Sequence, residues 1–188
     1  MALTLFVRRP EPVEAPAPEL WPEIGETWKP EGISIVERYY NLGHAVVLVY
    51  SADRDGYYHL VSCLGCHYLV TRDKSRTYNT RYRLEDAARV ANEHASICRA
   101  LPRELPARPD DDTARRMLHT WVLGLPRRDE DFYLDLWDFD SGRLELQRTN
   151  KWMQNELVAF AAERGDVLSA KPSDYGSGIN YTVLRQPS

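Results

Sequence analysis

The chain has only three cysteines, and their placement narrows what it can fold into more than any other feature. Two stand three apart in HLVSCLGCHYLV, residues 59–70, and the third follows a histidine by four residues. The full pattern is Cys63-x2-Cys66-x27-His94-x3-Cys98. The second pair lies in LEDAARVANEHASICRAL, residues 84–101. There Leu84, Ala87, Ala91, His94, Cys98 and Leu101 recur at steps of three and four, which predicts one helix face. Glu85 and Asp86 suit the positive N-terminal end of such a helix and Arg99 its last turn. Pro102 is expected to end it. His94 and Cys98, at i and i+4, then share that face. Cys63 and Cys66 fall at a bend between two strand-like pieces, one starting at Tyr57 and the other covering Tyr68–Val70. Bend and helix each offer two donor atoms. Three thiolates and one imidazole form a tetrahedral set for structural Zn2+, a metal that favours such borderline-soft ligands.

Other readings of these residues carry less weight. A redox CxxC of the thioredoxin kind opens a helix, whose dipole stabilises the thiolate; here the pair runs on into His-Tyr-Leu-Val, a strand sequence. Cysteine and alanine on a helix face also suit a plain core. His67 and His59 are alternative ligands, with His67 able to serve as a hydrogen-bond partner to a ligand instead. Catalytic zinc keeps a position open for water, whereas four protein ligands fill the shell. The deaminase pattern, HxE followed by PCxxC, is not present around Cys63.

With a hairpin bend supplying one ligand pair and a helix the other, residues 57–101 resemble a treble-clef or zinc-ribbon-like module. The resemblance implies a zinc knuckle at Cys63–Cys66, with Gly65 allowing a strained turn. It implies a scaffold rather than an activity, since modules of this class bind nucleic acids, bind proteins, or use the metal only to fold.

The rest of the chain is read around this centre. Residues 1–32 form an N-terminal arm, whose stretch 10–32 holds six prolines and six glutamates, with Trp21 and Trp28 available to pin it to a body. Residues 33–50 predict two strands around an Asn-Leu-Gly turn, and Asp53–Gly56 a second turn. A zinc-binding hairpin and helix domain is expected over 33–101 and a proline- and aspartate-rich linker over 102–112. A small domain over 113–188 follows, of order α-β-β-α-β. In it, Thr113–Leu123 reads as a helix capped by Asp112. Residues 132–139 and 143–148 read as a hairpin through Asp140-Ser141-Gly142. NKWMQNELVAFAAERG reads as a helix capped by Thr149 or Asn150, and INYTVLR as a last strand. The expected class is α+β.

A net charge of −4 argues against a wholly basic nucleic-acid module. One basic stretch remains: Arg72, Lys74, Arg76, Arg81 and Arg83, interleaved by Tyr78 and Tyr82. It is a candidate surface for nucleic acid or a protein partner. In a strand, Asp138 and Asp140 share a face that Asp135 points away from, and with Glu145 and Lys151 near in sequence they could hold magnesium in a hydrolase or nuclease; a polar edge hairpin accounts for them better. No run reaches the length of a membrane helix, and the odd cysteine count and the opening MALTLFVRRP point to a reducing, cytoplasmic setting. The expectation is a non-catalytic, zinc-stabilised interaction or adaptor protein with a protein partner or self-association. Nucleic-acid binding or regulation through residues 72–83 is the alternative.

Overall fold

A computed structural model describes residues 25–52, 56–72, 81–126, 129–173 and 178–185. Most of the N-terminal arm, the Asp53–Gly56 turn up to residue 55, and Lys74, Arg76 and Tyr78 of the basic stretch lie outside them.

The first unit is an antiparallel meander: β1 (Ser34–Tyr40), β2 (Val46–Ser51), β3 (Leu60–Cys63) and β4 (Leu69–Val70), paired in that order. Helix α1 (Leu84–Ile97) covers one face. Its alanines, Ala87, Ala91 and Ala95, pack against Val47, Val49, Val61 and Cys63. A stripe of small residues at four-residue spacing lets a helix lie close on a sheet of β-branched side chains.

Strand β2 is buried at all six positions. An uninterrupted apolar strand needs cover on both faces. Its second face, Val46, Leu48 and Tyr50, packs with Leu60, Leu64, Trp28 and Ile35 from its own unit, and with Leu105 and Leu144 from further along the chain. Residues 102–110 have no regular secondary structure. They are tied down nonetheless: Gln147 donates to the Pro106 carbonyl (2.8 Å) and Arg148 to the Pro109 carbonyl (2.7 Å).

The second unit runs α2 (Asp111–Leu123), β5 (Phe132–Leu134), a 3₁₀ turn (Leu136–Gly142), α3 (Arg143–Leu146), α4 (Asn150–Glu163), β6 (Leu168–Pro172) and β7 (Ile179–Val183). Its sheet has the antiparallel order β5-β7-β6. Ala114, Leu118 and Val122 of α2 and Met153, Leu157 and Phe160 of α4 fill its core against Leu134, Leu168 and Tyr181.

The α+β class is as expected; several details are not. The hairpin across 132–148 does not form. Asp135 accepts from the Trp137 amide (3.1 Å) while Asp138 accepts from the Asp135 amide (3.0 Å). This reciprocal cap nucleates a helical turn, and Leu136, Phe139, Leu144 and Leu146 then turn inward at non-strand spacing. The unit therefore gains β6, which the sequence reading omitted, and its order becomes α-β-α-α-β-β once the 3₁₀ turn is set aside. Asp110, not Asp112, caps α2, accepting from Thr113 N at 2.6 Å. Thr149 caps α4 as expected. Helix α1 stops at Ile97, well before Pro102, so Cys98 is its extended C-cap residue and Leu101 is exposed.

Candidate metal centre

Cys63, Cys66, His94 and Cys98 converge, with their four donor atoms all within 4.8 Å of one another. Cys66 Sγ lies 3.5 Å from His94 Nε2 and 4.0 Å from Cys98 Sγ. Zinc–ligand bonds at tetrahedral angles put two sulfurs about 3.8 Å apart, and sulfur and nitrogen about 3.6 Å apart. The donor set therefore fits a single ion such as zinc. Among the described residues no other group of metal-binding side chains gathers in this way.

Each ligand is positioned by local structure. Cys63 ends β3, paired with Val47, and the chain turns through Leu64–His67 before Tyr68 hands its carbonyl back to the Cys63 amide (3.0 Å). Within that turn Gly65 N–H points at Cys63 Sγ and Tyr68 N–H at Cys66 Sγ, each at 3.4 Å. Gly65 is required for close approach rather than for a left-handed backbone: a Cβ there would stand 2.5 Å from Ala45 Cβ and 3.0 Å from the Leu101 carbonyl oxygen. His94 sits on α1, and its ring stacks on Tyr68, with centroids 3.9 Å apart and planes 11° from parallel. Cys98 is the last residue that the helix places: its amide still bonds to the His94 carbonyl (3.0 Å), so the pair stands at i and i+4, and the chain turns extended only beyond it.

Asn41, in the β1–β2 turn, is a member of this centre that the sequence reading treated only as a turn residue. It is buried, and its amide is fully used. Oδ1 accepts from Gly43 N (2.9 Å) and Ala45 N (2.8 Å). Nδ2 donates to the Ala100 carbonyl (2.9 Å) and to Cys98 Sγ (3.2 Å). The Asn-Leu-Gly signal placed the turn; only the return of residues 98–100 beside it gives the side chain its second task.

The electrostatics differ from ligand to ligand. Burial pushes the Cys63 thiol up to about 11, against the opposing pull of the Gly65 and Cys66 amides. Burial also acts on Cys98, but hydrogen bonds from the Ala100 amide, the Asn41 side chain and the Cys66 and Cys63 side chains together outweigh it and hold this thiol below its usual range. Burial lowers His94, favouring the neutral imidazole that a metal needs.

The competing histidines are elsewhere. His67 is exposed, with its ring 3.3 Å from the Arg103 guanidinium. His59 lies at the opposite end of β3, in a bridge with Tyr82.

The basic stretch is only partly on the surface. Arg72 pairs with Asp138 at 3.0 Å. Arg81 pairs with Asp140 at 3.3 Å and lies over the Trp137 ring, 3.8 Å from its centroid. Tyr82 is buried in the sheet–helix core, and Arg83 is the exposed N-cap residue of α1. Asp138 and Asp140, expected on one strand face, do not share one: Asp138 and Asp135 cap the 3₁₀ turn, and Asp140 is buried and paired with Arg81.

Compared with known proteins, the chain matches no family model, no curated protein and no solved structure. Its chemistry is therefore read from its own geometry. No helix among the described residues is long and apolar enough to cross a membrane.

Proposed function

We propose that the protein is a non-catalytic interaction module whose first unit is held by one structural zinc ion at Cys63, Cys66, His94 and Cys98. The observation that carries this reading is the tetrahedral spacing of three sulfurs and one imidazole nitrogen. Four protein ligands leave no position for water, as in structural rather than catalytic sites. The metal would tie the β3–β4 turn to the end of α1, and through Asn41 to the β1–β2 turn as well.

The interaction part of the reading rests on the surface at this corner. Leu42 bonds through its amide to the Cys98 carbonyl (2.9 Å), and Leu42, Ile97 and Leu101 are all large apolar side chains left exposed there. Large apolar side chains left exposed near one another in the chain's fold suit a protein partner. Nucleic-acid binding through residues 72–83 has less support, because Arg72 and Arg81 are already paired with carboxylates and Tyr82 faces inward.

Native mass spectrometry of the protein prepared without chelator tests the metal. One zinc per chain is expected, lost in both Cys63→Ser and His94→Ala. A parent protein that carries no metal overturns the reading. Affinity capture with and without nuclease treatment then tests the partner: protein retained in both, and lost on Ile97→Asp with Leu101→Asp, is the expected result.

A further inference from the structure

At the end of the first sheet away from the metal, a cleft of about 450 Å³ opens between the two units. Its walls are aromatic. Tyr58 meets Trp137 edge-on, with ring centroids 5.5 Å apart, and Arg81 covers one face of Trp137, so that wall is fixed. Tyr57 and Tyr133 are 72% and 79% exposed, unusually open for phenol rings that line a concavity. Gln154 and Asn180, each with a side-chain amide, also line the cleft. Among the described residues, neither these amides nor the Tyr57 and Tyr133 hydroxyls have a hydrogen-bond partner. Among the described residues that line the cleft there is no lysine or arginine, and the one carboxylate, Asp135, caps the Trp137 amide.

Aromatic rings and uncommitted amides suit a ligand with flat apolar faces and unpaired carbonyl oxygens. An extended proline-rich peptide has both: in the polyproline-II form its rings face outward and its carbonyls bond to nothing within the chain.

The chain itself carries such a sequence. Residues 10–18 read PEPVEAPAP, four prolines in nine positions. The described structure begins at Gly25, which packs on Val46 and Leu64 at the metal end of β2. Strand β2 spans about 20 Å to the cleft end. The thirteen steps from Gly25 back to Pro12 span about 40 Å in polyproline-II geometry. The segment is long enough to reach the cleft from its own attachment point.

We propose that this cleft is a polyproline-binding site and that its occupant is the chain's own stretch 10–18. Proline rings stack on Tyr57 and Tyr133, and the peptide carbonyls accept from the Gln154 and Asn180 amides. The proposal stands apart from the metal reading, since no residue of the cleft touches the Cys3His group.

A photo-crosslinking experiment on the full chain tests it. Tyr133→p-benzoylphenylalanine is irradiated and the products mapped by mass spectrometry, with isotopically labelled and unlabelled copies mixed. Crosslinks to residues 10–18 within one copy are expected. They should fall at least fivefold when Pro10, Pro12, Pro16 and Pro18 are all changed to Ala, and fall again in excess free peptide PEPVEAPAPELWP. Zinc stoichiometry is measured alongside and should not change. Crosslinks that map elsewhere, that join different copies, or that persist in the proline variant overturn the proposal. So does protection of the site by cellotetraose or maltotetraose but not by the peptide, which would assign the cleft to neutral saccharides.

Discussion

Asn41 joins a backbone turn to a thiolate through a single amide. One end of the group fixes the β1–β2 turn, and the other donates to Cys98 Sγ and the Ala100 carbonyl. Asn41→Asp keeps the acceptor that the turn requires but removes the donor and adds negative charge beside the thiolates. Loss of such a supporting hydrogen bond weakens metal binding by roughly 10- to 100-fold. Competition with a chromophoric chelator measures this, and an unchanged affinity would show that the Asn41–Cys98 contact is incidental. Asp140 makes a second prediction at this scale. Burial, working against Arg81 and Arg143, pushes its carboxyl up to about 6. Because the folded value lies above the unfolded one, the folded state binds the proton more tightly. The contribution of this group to stability is complete below about pH 4 and is lost as pH rises through 6, a change of about 3 kcal/mol. The Asp140 carboxyl carbon should titrate near 6 by NMR. The difference in unfolding free energy between the parent and Asp140→Asn should then vary between pH 4 and 6 and level off above it.

Among the elements, the end of α1 and the turn before β2 are the pieces whose contact builds the metal corner. A helix continued past Cys98 would have carried residues 99–101 onward around its axis. The extended C-cap instead sends residues 98–101 across the β1–β2 turn, where Leu42 and Asn41 bond to them. The approach is close enough that a Cβ on Gly43 would stand 2.4 Å from the Ala100 carbonyl oxygen. Backbone cannot yield as a flexible side chain does. Gly43→Ala should therefore destabilise the protein by about 1–3 kcal/mol and lower zinc affinity with it, read by chemical denaturation and chelator competition on the same sample. A variant with full stability and full affinity would mean that the two segments can separate without cost to the site.

Across the whole molecule, α3 and residues 102–110 connect the two units. Leu144 inserts into the apolar face of β2, and the buried Arg143 beside it donates to the Ala52 carbonyl (3.2 Å) and to Asn150 Oδ1 (2.6 Å) and contacts Met153 Sδ. Truncating a buried leucine costs about 2–5 kcal/mol. Because Leu144 belongs to a cluster made mostly of first-unit side chains, Leu144→Ala should lower the denaturation midpoints reported by both units, each followed by hydrogen exchange in β2 and in α4. A loss confined to α4 would show that the units melt separately.

Much of this protein was legible in its sequence where the signal is local. The α1 helix from Leu84, though not its end at Ile97, the turn at Asn41, the cap at Thr149 and the strand character of β2 follow from short-range periodicity and side-chain chemistry. The four members of the Cys3His group follow too, because so few cysteines leave little choice of partner. The 3₁₀ turn was missed although its cause is local: two aspartates three apart cap each other, and this outweighs the alternation of DLWDF. What only the tertiary structure decided depends on segments far apart in sequence meeting: the second task of Asn41, the inward turn of Arg81 and Tyr82, the plug at Leu144, and the aromatic cleft between the units. Local patterns set which dihedral angles a segment prefers. Burial and hydrogen-bond satisfaction across the fold decide what each side chain then faces.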